Sequence, residues 1–323
     1  MNDKSKIWMD GKFVRWNNAK IHVLTHGLHY GTSVFEGIRC YHTKKGPAIF
    51  RLEEHLKRLM NSCKMYHMNL EFSEKEIREA IIQTIKINGV KDCYIRPICY
   101  YGYGKMGVNP LPNKVSTSVA IWNWEDHIKT KNNAGMRVIV SSWIRIDSRS
   151  LPIHAKAAAN YANSALARIE AIKSGVDEAI MLNMRGMVVE GTAENIFMVK
   201  NKILVTPPLT SGALDGITRS SVLDIAEDLG IDFQISDISR DELYNADEVF
   251  LTGTAAEIKS IGEIDNIKIA DGRTGKIATQ LQDVYNQIVH GKNEKFEKWL
   301  TYINYQIEKL SQHSSIFTNK RIK

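Results

Sequence analysis

The sequence predicts a mixed α/β protein with two domains. The chain has 323 residues, of which 43% are hydrophobic and 24% charged, and this composition is typical of a globular protein that can bury two cores. Segments with the alternating pattern of strands are interspersed with segments that have the apolar spacing of helices. A polar stretch at residues 125–135 separates these segments into two groups, and we expect the domain boundary there.

The first group of segments forms the predicted N-terminal domain, a small α/β unit of residues 1–128. Asp10-Gly11 lies between two alternating runs, and this dipeptide favours a tight hairpin turn. In chain order we expect a hairpin at 6–14, helices at 55–65 and 73–88, and strands at 94–101 and 116–124. A linker at residues 129–135 then leads to the second domain.

The second domain, residues 136–292, is predicted to be a larger α/β unit. We expect strands at 136–142, 178–183 and 187–190, and a helix from about 162 to 173 that Gly175 ends. Residues 293–323 are predicted to form an amphipathic helix and a basic tail. The apolar residues on one face of that helix would be Phe296, Trp299, Leu300, Ile303, Ile307 and Leu310. We expect this face to pack on the body of the protein or at an interface.

The net charge of +7 and the isoelectric point near 9.0 raise the hypothesis of a nucleic-acid partner. Residues 292–323 contain seven lysines and arginines and three glutamates, so +4 of the net charge lies in this segment. The sequence has no recognition-helix, zinc-finger or RNA-binding signature. We therefore expect no nucleic-acid partner, and a basic binding module is the non-enzymatic alternative.

Membrane and metal chemistry are not expected either. No apolar run approaches the roughly eighteen residues of a membrane helix, and the first residues lead into no signal-peptide core. The cysteines show neither a Cys-x-x-Cys pair nor a histidine spacing typical of zinc. They are Cys40, Cys63, Cys93 and Cys99. We expect a cytoplasmic protein with reduced thiols, no metal site and no membrane contact.

Lys156 is the strongest candidate for a catalytic residue. Alanines flank it at positions 155 and 157–159, and these side chains are too small to cover it. A desolvated ammonium loses its proton more easily and can attack a carbonyl, which would fit covalent attachment of pyridoxal phosphate. The alternative is a solvated lysine near the start of a helix.

Two further residues fit the same cofactor, which needs an acid at its pyridine nitrogen and a donor to its phenolate oxygen. Glu190 ends an apolar strand, where a carboxylate could keep the ring nitrogen protonated. Tyr161 follows Lys156 by five residues, so a short bend could bring its hydroxyl to the ring. The alternatives are a turn carboxylate beside Gly191 and a buried core aromatic.

Two expected helix starts, each with a glycine and a threonine, are candidates for the phosphate site. In residues 214–223, Gly216 allows close backbone approach and Thr218 supplies a hydroxyl where a helix is expected to begin. In residues 251–258, a strand ends in a Gly-Thr turn with the same properties. The alternative for both segments is an ordinary N-cap.

Several longer motifs follow one another along the chain. They are HYGTSVFEGIR at 29–39, YIRP at 94–97, MGVNP at 106–110, Lys156 with NY at 160–161, EGTAEN at 190–195, GITR at 216–219 and TGTAAE at 252–257. With these motifs the chain resembles, over nearly all of its length, the branched-chain amino-acid aminotransferases of the fold-type IV pyridoxal phosphate enzymes. The resemblance implies a two-domain α/β fold with the cofactor between the domains.

The resemblance also implies roles for residues at the cofactor. Lys156 would bind pyridoxal 5'-phosphate covalently, Glu190 would pair with the pyridine nitrogen and Tyr161 would donate to the phenolate oxygen. The residues implied at the phosphate are Arg58, Ile217, Thr218 and Thr254. Composition alone does not distinguish Arg58 from other cations on an exposed helix face.

Substrate contacts are implied in the same way. Tyr94 and the backbone of Thr254-Ala255 would bind the substrate α-carboxylate, and Arg96 with Tyr30 would bind the distal carboxylate of glutamate. The implied apolar pocket consists of Tyr30, Phe35, Gly37, Val108 and Trp124, some of them from a partner subunit. The expected substrates are branched-chain L-amino acids, 2-oxoglutarate and L-glutamate, and the expected assembly is a homo-oligomer, at least a dimer.

Two departures from the family pattern leave the preferred substrate open. Alanines 157–159 stand where many relatives have glycines, and His127 lies near the position of a pocket tyrosine in many of them. The rival enzymes are a fold-type IV lyase and a D-amino-acid transaminase, and the motifs at 94–97 and 106–110 favour the branched-chain group over both.

Overall fold

The computed structural model describes residues 4–123 and 134–304 of the chain. Within these ranges, one antiparallel sheet, one mixed sheet and the helices packed on them account for the regular structure. Short 3-10 helices are at Trp16–Asn18, Leu209–Ser211 and Glu294–Trp299.

The first sheet has eight strands, and three helices are interspersed with them along the chain. The strands are β1 (Lys6–Met9), β2 (Lys12–Arg15), β3 (Ser33–Phe35), β4 (Ile38–Thr43), β5 (Gly46–Phe50), β6 (Cys93–Tyr101), β7 (Val115–Trp122) and β17 (Leu300–Tyr302). The helices are α1 (His26–Tyr30), α2 (Leu52–Met65) and α3 (Glu74–Asn88). The main path through the sheet is β17-β5-β4-β6-β7-β1-β2, with β3 paired to β6.

The second sheet has nine strands. They are β8 (Met136–Val140), β9 (Glu178–Leu182), β10 (Val188–Gly191), β11 (Asn195–Lys200), β12 (Ile203–Thr206), β13 (Phe233–Ile235), β14 (Glu248–Gly253), β15 (Glu257–Ile264) and β16 (Ile267–Lys268). The helices of this part are α4 (Ala158–Lys173), α5 (Ile217–Asp228), α6 (Arg240–Tyr244) and α7 (Lys276–Val289).

The path through the second sheet closes on itself. Its order is β10-β9-β8-β15-β14-β11-β12-β13, and an additional pairing of Glu190 with Asn195 joins β10 to β11. Six strands therefore form a ring, and Glu190 lies at the junction that closes it.

Most of the predicted elements are confirmed. Asp10 and Gly11 have positive φ angles of 44° and 85°, as the hairpin turn between β1 and β2 requires. Ser73 caps α3, since its hydroxyl accepts from the Glu76 amide while the Glu76 carboxylate accepts from the Ser73 amide. Helix α4 begins at Ala158, four residues before the expected start, because the alanines there are strong helix formers.

The C-terminal prediction is wrong where the structure describes it. Residues Glu294–Trp299 form a 3-10 helix, and Leu300–Tyr302 pair antiparallel with β5 instead of continuing as an α-helix. The edge of β5 offers backbone hydrogen bonds that an amphipathic pattern cannot reveal. The first four residues of the apolar set are buried, as the packing prediction requires. Ile307 and Leu310 lie outside the described residues.

The buried cores tie the two sheets together. One core lies where α2 and α3 cover the first sheet, and Ala155 and Ala157 from beside Lys156 belong to it. A second core joins Phe50 of the first sheet to α5, α7 and the stacked rings of Phe197 and Phe250. The sheets thus share apolar side chains, while the exact domain limits stay a prediction.

Two other expectations concern the membrane and the thiols. None of the helices in the described ranges has both the length and the apolar character that a bilayer span requires. The four cysteines are buried and free of disulfides.

Three glycines allow close backbone contact where β8 joins β15. A Cβ atom on Gly262 would lie 2.3 Å from the Gly272 carbonyl oxygen, and one on Gly135 would lie 2.2 Å from the Gly262 nitrogen. The register of the β8–β15 pair also shifts between Ile261 and Glu263, on either side of Gly262. Only residues without a side chain fit this contact.

We expect Gly262→Ala to lower the free energy of unfolding by about 1–3 kcal/mol, because the new methyl group would meet rigid backbone. Urea unfolding measures this change. Ser260→Ala on the same strand removes a buried hydroxyl that has no hydrogen-bond partner among the described residues. We expect this control to change stability by less than about 1 kcal/mol. Equal stability of Gly262→Ala and the wild type would contradict the packing argument.

Candidate active site

A cavity that is open to solvent brings the predicted cofactor residues together. Helix α2 contributes one of them, Lys156 lies just before α4, and the others come from α4, α5 and the second sheet with its turns. The predicted residues that line the cavity are Arg58, Lys156, Tyr161, Glu190, Ile217, Thr218 and Thr254. Their roles toward a cofactor are still predictions, but their convergence is a property of the fold.

Lys156 is fixed by contacts to the first part of the chain. Its backbone amide donates to the Ser62 hydroxyl at 3.0 Å, and its carbonyl accepts from the Phe35 amide at 3.0 Å. Its Nζ donates to the Tyr161 hydroxyl at 2.6 Å and lies 5.2 Å from the centre of the Phe35 ring. The amine and the phenol therefore lie side by side at the cavity wall.

Glu190 is buried and well supplied with donors. Its Oε1 forms an ion pair with Arg145 Nε at 2.8 Å, and its Oε2 accepts from the Leu214 amide at 3.1 Å and from Asn195 Nδ2 at 3.3 Å. Burial raises the pKa of Glu190, and the charge of Arg145 opposes this rise. Such a carboxyl can stabilise a proton on a ring nitrogen placed against it.

The start of α5 has the features of an anion site. Gly216 is its N-cap, and no side chain caps the helix, so the amides of Ile217 and Thr218 are open at the cavity. Free amides at the positive end of the helix dipole favour an anion such as phosphate. A Cβ atom on Gly216 would lie 1.7 Å from Asn195 Oδ1, so only glycine allows this approach.

The second predicted phosphate segment has a different structure. Residues 254–256 form the turn that joins β14 to β15, and no helix begins there. The expectation of two helix starts was therefore wrong for this segment, because the chain reverses into an antiparallel strand. Thr254 still lines the cavity, and the buried Thr252 hydroxyl beside it has no hydrogen-bond partner within the described ranges.

These groups fit pyridoxal phosphate. A lysine with a phenol lies on one side of the cavity lining, a buried carboxyl supplies the acid, and an uncapped helix start supplies donors for the phosphate. The unpaired Thr252 hydroxyl is a polar atom that a bound ligand could satisfy. The donor set thus matches the different ends of this cofactor.

Several predicted substrate residues cluster near Lys156. The Arg96 guanidinium lies 4.6 Å from the centre of the Phe35 ring and 5.5 Å from that of Tyr94. The Phe35 ring also lies 4.9 Å from the Tyr161 ring. A Cβ atom on Gly37 would lie 1.9 Å from the Tyr94 hydroxyl, so this glycine makes room for the phenol.

Of the predicted substrate residues within the described ranges, only Thr254 lines the cavity itself. Tyr30 and Val108 are 41% and 82% exposed, and neither is among the described residues that line it. Ala255 follows Thr254 in the β14–β15 turn. Trp124 and His127 lie outside the described residues.

Several residues of the site were missed in the sequence. Arg145 pairs with Glu190, Glu36 pairs with Arg58, and the Trp122 ring lies 5.5 Å from the Arg96 guanidinium. Glu194 lines the cavity. The one signal for Arg145 was a single cation in the apolar run Trp-Ile-Arg-Ile, and this pattern names no partner.

Glu194 belongs to a buried acidic pair. Its Oε2 accepts from the Ala193 amide at 3.0 Å, and Glu178 is its acidic neighbour. Arg168 Nη1 lies 3.3 Å from Glu178 Oε2. Burial, together with the nearby charge of Glu178, raises the pKa of Glu194 to about 8, so Glu194 holds a proton at neutral pH.

Comparisons with known proteins point to one family. The family model described as Amino-transferase class IV matches residues 33–264. The branched-chain-amino-acid aminotransferase of Salmonella typhimurium strain LT2 is 42% identical over 300 residues, which cover 92% of this chain and 97% of that protein.

Two solved structures of one branched-chain amino acid aminotransferase, from the organism abbreviated T.th., are also similar. The complex with N-(5'-phosphopyridoxyl)-L-glutamate is 47% identical with a TM-score of 0.89, and the match covers 93% of this chain and 99% of that one. The complex with 4-methylvaleric acid is 47% identical with a TM-score of 0.90, and the match covers 94% of this chain and 100% of that one.

The raised pKa of Glu194 should make the free energy of unfolding depend on pH. Its pKa in the folded protein is above the ordinary value of 4.5, so its stabilising contribution is present below that value and is lost as the pH rises through about 8. In the cofactor-free protein we expect the unfolding free energy to fall less steeply between about pH 5 and 9 in Glu194→Gln than in the wild type.

Urea unfolding at a series of pH values tests this expectation. Glu79→Gln changes an exposed glutamate on α3 in the same way and should leave the pH dependence of the wild type unchanged. A constant offset between Glu194→Gln and the wild type, with parallel pH curves, would show that Glu194 does not titrate as argued.

Proposed function

Because the chain belongs to the class IV aminotransferases, which use pyridoxal phosphate, we propose that it transfers amino groups between branched-chain L-amino acids and 2-oxoglutarate. The products are the branched-chain 2-oxo acid and L-glutamate. The reaction proceeds by a ping-pong sequence of two half-reactions in one cavity. The observation that supports this proposal is the Phe35 ring, whose centre lies 5.2 Å from Lys156 Nζ and 4.6 Å from the Arg96 guanidinium, so that one apolar ring contacts both cations.

The ligands of the T.th. protein support this choice of substrates. One contains L-glutamate, and the other, 4-methylvaleric acid, has the carbon skeleton of leucine without its amino group. A single pocket that accepts both must bind an apolar branch and a carboxylate in turn.

Lys156 is the residue that would hold the cofactor and move protons. When bound, pyridoxal phosphate withdraws the electron pair that remains on the substrate α-carbon. With the substrate amine in its place on the cofactor, the freed Lys156 amine would remove the α-proton of the amino donor. In the second half-reaction the same amine would deliver a proton to the α-carbon of the 2-oxo acid. Tyr161, 2.6 Å from Nζ, keeps the amine at the cavity wall and donates to the phenolate oxygen.

Two other groups of residues orient the cofactor. Glu190 would hold a proton on the ring nitrogen. The ion pair with Arg145 would fix the orientation of the Glu190 carboxyl. The amides of Ile217 and Thr218, with Thr254 and Arg58, bind the phosphate.

The substrate residues explain the dual specificity. Tyr94 and the Thr254-Ala255 backbone bind the α-carboxylate, which both kinds of substrate share. Phe35 gives the pocket its apolar wall. The Arg96 Nε is buried and has no hydrogen-bond partner among the described residues, so the distal carboxylate of glutamate would satisfy it.

We further propose that a second copy of the chain completes the pocket. Segments 21–30 and 103–111 form an exposed apolar surface, joined by a hydrogen bond of 2.8 Å between His26 Nε2 and the Gly107 carbonyl. Its most exposed side chains are Val23, Leu28, Val108 and Leu111. A surface of this kind favours self-association, and a partner subunit would bring Tyr30 and Val108 to the neighbouring pocket.

An absorbance spectrum of the protein with pyridoxal phosphate is the direct experiment. L-leucine alone should convert the bound cofactor to its pyridoxamine form, and 2-oxoglutarate should reverse the change, because each compound completes one half-reaction. D-alanine is the control and should cause no change. A spectrum that L-leucine leaves unchanged would contradict the proposed function and favour a lyase.

We expect Lys156→Ala to lose covalent cofactor binding and to lose about 10²- to 10⁴-fold or more in turnover, because no other described group would move the α-proton. Borohydride trapping of the cofactor and steady-state kinetics measure the two effects. Lys173→Ala changes an exposed lysine at the end of α4, the helix that follows Lys156, and should behave like the wild type. Full activity of Lys156→Ala would refute the role of this lysine.

Arg96→Ala should raise the KM for L-glutamate by about 10- to 100-fold, the effect of losing a hydrogen bond to a charged group. The KM for L-leucine should change much less, because an aliphatic side chain has no distal charge. The kinetics of both half-reactions test this difference. Equal losses for the two substrates would exclude a separate role in carboxylate recognition.

A further inference from the structure

Glu36 is a buried carboxylate that the proposed mechanism does not use. It lies between β3 and β4, and its side chain has no exposed surface. Its amide donates to the Pro97 carbonyl at 2.9 Å, so β6 fixes its backbone. The side chain points from this fixed position toward helix α2.

Arg58 and His55, both on α2, surround the Glu36 carboxylate. Arg58 Nε donates to Oε1 at 2.6 Å and its Nη2 donates to Oε2 at 2.9 Å, which gives a two-point ion pair. His55 Nδ1 lies 2.7 Å from Oε2, and the Gly37 amide also donates to Oε2, at 3.2 Å. Burial alone would raise the pKa of Glu36, but Arg58 and His55 hold it well below its usual range.

The two-point ion pair fixes the plane of the Arg58 guanidinium. Nε and Nη2 are occupied by Glu36, so Nη1 is turned away from the carboxylate and donates to the Asp215 carbonyl at 2.7 Å. Asp215 directly precedes Gly216, the N-cap of α5. The third nitrogen of the Arg58 guanidinium therefore reaches the residue next to the predicted phosphate site.

We propose that Glu36 is a positioning residue that orients Arg58 for the cofactor phosphate. This proposal rests on the proposed function, and in particular on the assignment of Arg58 to the phosphate. His55 completes the arrangement, because a carboxylate oxygen can only accept and the Nδ1 atom of His55 must carry the proton. Burial and the charges of Arg58 and Lys156 lower the pKa of His55, and these effects outweigh the increase that Glu36 causes. The imidazole is therefore neutral at pH 7.

Two effects of Glu36 on phosphate binding oppose one another. Its negative charge reduces the net charge that the phosphate meets, so removal of this charge alone would strengthen binding. Its hydrogen bonds hold Arg58 in one orientation, so their loss would weaken binding. A buried arginine that loses its two-point partner is free to turn, and we therefore expect the orienting effect to dominate.

Binding of pyridoxal phosphate and of pyridoxal, which lacks the phosphate, separates these effects. We expect Glu36→Gln to bind pyridoxal phosphate about 10- to 100-fold more weakly than the wild type, a loss typical of removing a residue that orients a ligand-binding group. Its affinity for pyridoxal should be nearly unchanged. Equilibrium dialysis measures both dissociation constants without turnover.

A double-mutant cycle tests whether Glu36 acts through Arg58. Once Arg58 is replaced by Gln, the further change Glu36→Gln should not alter the preference for pyridoxal phosphate over pyridoxal. Glu54→Gln is the matched control, because it breaks an ion pair of 2.8 Å to Arg51 at the start of α2 and should leave both affinities unchanged.

Glu36→Asp covers the case in which Glu36→Gln does not fold. Aspartate keeps the charge but is too short to reach both Arg58 nitrogens, so this variant should also lose part of its preference for the phosphate. Tighter binding of pyridoxal phosphate by Glu36→Gln, equal losses for both ligands, or an unchanged preference in a folded variant would overturn the proposal. So would an unchanged preference in Arg58→Gln.

The proposed function can fail separately. A wild-type protein that binds pyridoxal phosphate more tightly than pyridoxal but does not respond to L-leucine would refute the branched-chain assignment alone. The role of Glu36 is decided by the two affinities and by the cycle, neither of which requires an amino-acid substrate.

Discussion

The backbone of Lys156 links the two parts of the molecule, and the rest of the site depends on this link. The amide and the carbonyl of this residue are both hydrogen-bonded to the first part of the chain, through Ser62 and Phe35. The neighbouring Ala157 forms a bridge with Val34, and Ala155 and Ala157 are buried in the first core. The alanines beside the lysine are small because they pack between elements. As a result the backbone that carries the Lys156 amine is held in place between the two sheets.

The closed ring of the second sheet fixes the other side of the cavity. Glu190 and Asn195 pair where β10 meets β11. The side-chain Nδ2 of Asn195 also donates to the Leu214 carbonyl just before α5. One asparagine thus connects the acid to the start of the helix that is predicted to hold the phosphate. A shift of this strand pair would move both ends of the cofactor site together.

Charges near the cavity are buried in pairs. Glu36 with Arg58 and Glu190 with Arg145 each combine an acid with a guanidinium at hydrogen-bond distance. Such pairs contribute little net stability, since desolvation offsets much of their attraction, but they fix the direction of each side chain. Glu194 differs, because the charge of Glu178, another buried acid, helps to raise its pKa and so favours its protonated form. The pairs nearest the proposed cofactor contacts therefore serve orientation more than stability.

The sequence by itself determined the helices, the strands and the chemical groups of the site, because local patterns of residues specify them. Alternating hydrophobicity, helix caps and glycine turns indicate the backbone conformation of a few neighbouring residues. Lys156, Tyr161 and Glu190 could be chosen from their residue types and their neighbours in the sequence. Arg58 required the family resemblance, since nothing near it in the chain marks it as different from other helix cations.

Only the tertiary structure decided which distant groups meet. Arg145 lies 45 positions before Glu190, and Glu36 lies 22 positions before Arg58, and no periodicity connects either pair. The pairing of Leu300–Tyr302 with β5 likewise depends on an open strand edge that exists only after the first sheet has formed. Hydrophobic spacing shows which side chains are buried, and the path of the chain in space decides what each of them contacts.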